Sequence, residues 1–80
     1  MIWLLRPLTG ENEVGQWSPW FDKAFGFVVR AEDETEARAL ASLMAGDEGF
    51  SSWLDKTLTG CAPLEVAGKS DVIMRDFRAA

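Results

Sequence analysis

The stretch AEDETEARALASLMAG, residues 31–46, is the segment that most constrains this chain, because it alone carries a sustained helical pattern. Asp33 stands as N-cap with Glu36 three residues later, which is capping-box spacing. Glu34 and Glu36 fall in the first turn, where the positive end of the helix dipole favours acids. Ala37, Leu40, Ala41 and Met44 then recur at i, i+3, i+4 and i+7 as one apolar stripe, and Gly46 stands where a left-handed C-terminal residue is expected. The pattern predicts a helix from about Asp33 to about Ala45, with Leu40 and Met44 buried and the small residues letting it lie close to a sheet.

Short apolar runs surround that helix and read as strands. MIWLLR is closed by Pro7 and is too short for a helix. AFGFVVRA suits a strand with Phe27 and Val29 on one face and Val28 and Arg30 on the other. Between them, PLTGENEVGQWSP is rich in turn formers and reads as an excursion. After the helix, DEGFSSWLDKTLTG is a connection whose Phe50 and Trp53 fold back over the core. CAPLEV and DVIMRDF then form a hairpin across AGKS, with Val66 and Val72 near its closed end and Pro63 confining its strand to an edge or bulge. The expected fold is α+β: a four-stranded, mainly antiparallel sheet in the order β-β-α-β-β, with one helix packed on one face.

Eighty residues form a single domain, 1–80, that buries roughly 60% of its unfolded surface and leaves little room for a deep cleft. No run approaches the roughly 20 apolar residues of a membrane span, and no signal peptide is evident, so the expected location is the cytoplasm. With no histidine and one cysteine, neither an imidazole base nor a Cys/His zinc site can be built, and Cys61 reads as a small buried hydrophobe. No phosphate loop, nucleophile motif or metal motif is present, and paired carboxylates would need a cleft to work in. The chain reads as a non-enzyme that takes no cofactor.

Two features remain. WSPWFDKAFGF, residues 17–27, is dense in aromatics: Phe25 and Phe27 belong to the core, whereas Trp17 and Trp20, flanking Ser18 and Pro19, suit either a core or an interface. Trp17, Trp20 and Phe21 are also placed to cover the sheet face that one helix leaves open. The acids Glu11, Glu13, Asp22, Glu32, Asp33, Glu34, Glu36, Asp47 and Glu48 outnumber Lys23, Arg30 and Arg38, so the middle of the chain carries the whole charge excess behind the net −5. That sign repels nucleic acid and attracts a basic protein surface. Asp33, Glu34 and Glu36 are accounted for by helix capping and the dipole, but Glu11, Glu13, Asp47 and Glu48 lie in expected loops without such a role. The candidate partner-binding set is therefore Glu11, Glu13, Asp47 and Glu48, with Glu32 and Glu34 at the helix N-terminus and Trp17 and Trp20 as apolar anchors.

A short acidic chain with an N-terminal strand, a strand running into VVRAEDETEARALA, one helix and a closing hairpin resembles small phage-encoded proteins, and it looks like some anti-CRISPR inhibitors of type I systems. RAEDETEARALA is its motif-like part, and no binding residue is carried over from it. The resemblance implies stoichiometric binding: a monomer or small homo-oligomer that sets acids against the Lys and Arg residues of a CRISPR surveillance complex and blocks target DNA in the host cytoplasm. The alternatives are a structural or accessory module of a bacterial or phage assembly, and a small-ligand binder with a pocket between residues 17–21 and the open sheet face.

Overall fold

A computed structural model describes residues 1–8, 15–19, 21–64 and 67–75. The elements are β1 (Ile2–Pro7), β2 (Phe27–Arg30), α1 (Glu34–Leu43), α2 (Phe50–Leu54) and β3 (Thr59–Leu64). The sheet has three strands in the order β2-β1-β3, and both pairings are antiparallel. The α+β class is as expected, but the sheet has three strands rather than four, and there are two helices rather than one.

The departure arises at the C-terminal end. Residues 61–64 do form a strand, extended backwards to Thr59, but it pairs with β1 instead of with the chain that follows it. Trp3 lies opposite Pro63 and Leu5 opposite Cys61. Apolar β1 thus takes the central position, and Pro63 sits on an edge strand, where its missing N–H is tolerated. Residues 71–75 are not a strand, while Glu65, Val66, Asp76 and Phe77 of the expected hairpin lie outside the described residues.

Register sorts the side chains onto two faces. Leu5 opposes Phe27 and Cys61, and Trp3 opposes Val29, so Trp3, Leu5, Phe27, Val29 and Cys61 share the core face. Ile2, Leu4, Arg6, Val28, Arg30, Ala62 and Leu64 share the other. The alternation of β2 follows the sequence pattern, with Phe27 and Val29 half-buried and Val28 and Arg30 exposed.

The helix α1 packs on the core face through a different stripe from the one expected. Asp33 caps it by accepting from Glu36 N at 2.8 Å, and Glu36 Oε1 accepts from Glu32 N at 3.0 Å. The buried residues are Ala37, Arg38 and Ala41, however, while Leu40 is 41% and Met44 71% exposed. The helix is turned toward its Glu34–Ala37–Arg38–Ala41 side because two alanines allow close approach and Arg38 finds buried acceptors there. It ends at Leu43, with Met44 as C-cap.

Gly46 is not the left-handed cap. A Cβ at this position would lie 2.5 Å from Asp22 O, so the glycine is required by the close passage of the 22–23 backbone. The connection after α1 contains α2, whose Trp53 is fully buried as expected, whereas Phe50 is exposed. Trp53 is the centre of the core: it meets Trp17 edge-on at 5.7 Å between ring centroids and Phe27 edge-on at 4.7 Å.

Candidate functional site

The acids expected to form one surface have different fates. Glu11, Glu13 and Trp20 lie outside the described residues. Trp17 is in the core, on the helix side of the sheet, with its Nε1 donating to Ala24 O at 2.7 Å; it does not cover the open sheet face. Phe21 is exposed.

Glu48 is buried, and it has the local role that its loop position seemed to deny it. Its Oε2 accepts from Trp53 Nε1 at 2.6 Å and from Gly46 N at 3.1 Å, and its Oε1 accepts from Ala24 N at 2.9 Å. The carboxylate ties α2, the end of α1 and the segment before β2 into one unit. Such polar groups are kept inside only when their acceptor capacity is met.

Glu34 is half-buried and faces Arg38, whose Nε donates to its Oε2 at 2.7 Å. That hydrogen bond, helped by the charges of Arg38 and Lys56 and opposed by partial burial, holds the Glu34 carboxyl below its ordinary range. Arg38 also reaches Trp53 O at 3.0 Å and Thr59 Oγ1 at 2.9 Å through Nη1, and Thr59 O at 2.9 Å through Nη2. Thr59 Oγ1 donates onward to Ser52 O at 3.0 Å. The guanidinium therefore joins α1, α2 and β3, a role not read from the sequence. The available sign was that Arg38 shares a helix face with Glu34, Ala37 and Ala41.

Glu32 and Asp47 remain exposed from the expected set, and Asp33 and Glu36 are exposed beside them. The same outward side of α1 carries Leu40 and the still more exposed Leu43, with Met44 at its end. Glu36, Leu40 and Leu43 stand at i, i+4 and i+7, which puts an acid and two large apolar side chains in one line. No basic residue occupies the last turn. Leu40 and Met44 belong to the stripe that the sequence assigned to the core, so Leu43, off that stripe, was the one available sign of an apolar outward side.

Among the described residues, no group of three His, Cys, Asp or Glu side chains is placed to hold a metal ion. The Cys61 thiol is pushed above its ordinary range by burial and by the negative charge of Glu34, the opposite of what activates a nucleophile. Asp55 is held below its ordinary range by hydrogen bonds from the hydroxyl and backbone N–H of Thr57, a local turn. A cleft of about 540 Å³ is lined by Leu64 and residues 67–73, and no described residue of 17–21 lines it. No helix among the described residues is long and apolar enough to cross a membrane.

Comparison with protein-family models, with curated proteins and with solved structures yields no match to this chain.

Proposed function

We propose that this protein acts by stoichiometric binding to a basic protein surface, as an inhibitor of the anti-CRISPR kind, through the outward face of α1. The observation that carries this reading is the exposed line Glu36, Leu40, Leu43, with Glu32 and Asp33 at one end and Met44 and Asp47 at the other. Large apolar side chains inside an acidic border supply what a compact interface needs: desolvated anchors, and charges that steer a basic partner into place. On this reading the protein works in the cytoplasm of the host cell, needs no cofactor and occupies Lys and Arg residues that would otherwise hold target DNA. The rival reading, an accessory module of an assembly, would set the same exposed Leu40, Leu43 and Met44 against a constant partner.

The test is recovery of a type I CRISPR effector complex on the immobilised protein, using variants that leave the helix caps intact. Glu32→Lys with Asp47→Lys should slow association, and Leu43→Ala should speed dissociation. Equal recovery by the wild type and all variants would remove α1 from the interface. No recovery by any of them would favour the accessory-module reading.

A further inference from the structure

The two edges of the sheet differ in what they leave unpaired. Ala31 N donates to Met1 O at 3.0 Å, and Trp3 lies opposite Val29, so Phe27 and Val29 are the residues of β2 whose backbone bonds to β1. The N–H and C=O groups of Val28 and Arg30 point the other way, out of the sheet, and meet no partner among the described residues. Both residues are exposed, Val28 to 60%. On β3, Leu8 N donates to Leu58 O, which makes Thr59, Cys61 and Pro63 the outward positions. Thr59 N donates to Asp55 O at 3.1 Å, its carbonyl accepts from Arg38, and Pro63 has no N–H to give. The β3 edge is thus largely closed by the chain's own groups, and β2 is left as the template for another strand.

Residues 67–75 do not pair with this edge. Met74 meets the chain at Gly26, where its Cε lies 3.1 Å from the position a Cβ would take, and no backbone bond joins residues 67–75 to Val28 or Arg30. We propose that the β2 edge pairs antiparallel with the β2 edge of a second copy of this chain, joining two three-stranded sheets into one. The edge complements itself when the two-fold axis passes at Val28. Val28 then faces Val28 of the second copy in a hydrogen-bonded pair, and Phe27 faces Val29, an aromatic and a β-branched side chain across the junction. Arg30 falls across from Gly26, which keeps the two arginine positions ~13 Å apart along the strand direction. An axis at Val29 would make the arginines diagonal neighbours, and an axis at Arg30 would set them face to face. Charge therefore selects the register.

A contact of this kind uses the same patch on both copies, so the assembly closes at two. The strand is only four residues long and each copy carries a net charge of −5, which makes the dimer weak and dependent on concentration. A two-fold axis normal to the sheet keeps α1 of both copies on one side. The dimer therefore doubles the acid-bordered helix face, and a partner with two basic sites would bind the pair more tightly than a single copy.

Sedimentation velocity over a wide concentration range tests the pairing. The wild type should pass reversibly from monomer to dimer and stop there. Val28→Pro removes an outward N–H without touching a bond to β1, and it should stay monomeric. Val28→Lys and Val28→Glu, each alone, set like charges face to face on the axis and should dimerise at least about tenfold more weakly than the wild type. Mixed in equal amounts, they should pair with each other more tightly than either pairs with itself. Circular dichroism checks that every variant folds, and the lysine and glutamate mixture carries the test should proline unfold the strand. A wild type that is monomeric throughout, growth beyond a dimer, a folded Val28→Pro that dimerises as the wild type does, or a mixture no tighter than its components would each overturn the proposal.

Discussion

Arg38 is a cation in the interior, and its neighbours show why it is tolerated: a carboxylate, a hydroxyl and two carbonyls meet its donors. Removing it would strand the carbonyls of Trp53 and Thr59 in a dry setting. Arg38→Ala should therefore cost about 2–5 kcal/mol, read as a fall in the urea midpoint. Arg38→Lys should recover little of this, because a point-charge ammonium cannot fork between Thr59 and Glu34 as the planar guanidinium does. Recovery of most of the lost stability by lysine would show that charge, rather than the fork, is what the site uses. The Glu48 carboxylate has the mirrored role, an acceptor among three N–H donors.

At the scale of the element, α1 is helical for local reasons and oriented for non-local ones. Its cap and first-turn acids act wherever the helix lies, but the stripe it buries depends on what faces it. Leu40→Ala should cost less than about 1 kcal/mol, since the side chain is exposed and alanine is the better helix former. A loss typical of a core leucine, about 2–5 kcal/mol, would put Leu40 back in the core. The end of the helix is held differently. Gly46→Ala would drive a methyl into Asp22 O, and the backbone shift needed should cost about 1–3 kcal/mol in thermal or chemical denaturation.

For the molecule as a whole, Glu34 and Asp55 link stability to acidity. The Glu34 carboxyl is held below its ordinary value of 4.5, so the folded state binds its proton less readily than the unfolded chain does. Its contribution is complete above 4.5 and is lost as the pH falls through the lower folded value. Wild type and Glu34→Gln should accordingly differ in denaturation midpoint at neutral pH and converge below 4.5. A difference that persists undiminished into strong acid would show that Glu34 acts by packing.

Helix α1 was legible from residues 31–46 alone because capping, dipole and periodicity are interactions between near neighbours. The two faces of β2 were legible because side chains alternate along any strand. The candidate site was legible only in Glu32 and Asp47, the members of the expected set that remain exposed among the described residues. The outward Leu40 and Leu43, the buried Glu48 and the riveting Arg38 were not read from the chain. Each depends on partners brought up from elsewhere in the chain: Ala24 for Glu48, Thr59 for Arg38, and the sheet that chooses which side of α1 to cover. The same cause separates β3 from the hairpin expected for it. CAPL has the composition of a strand wherever it lies, but a strand pairs with whichever edge is free and apolar, and in the folded molecule that edge belongs to β1.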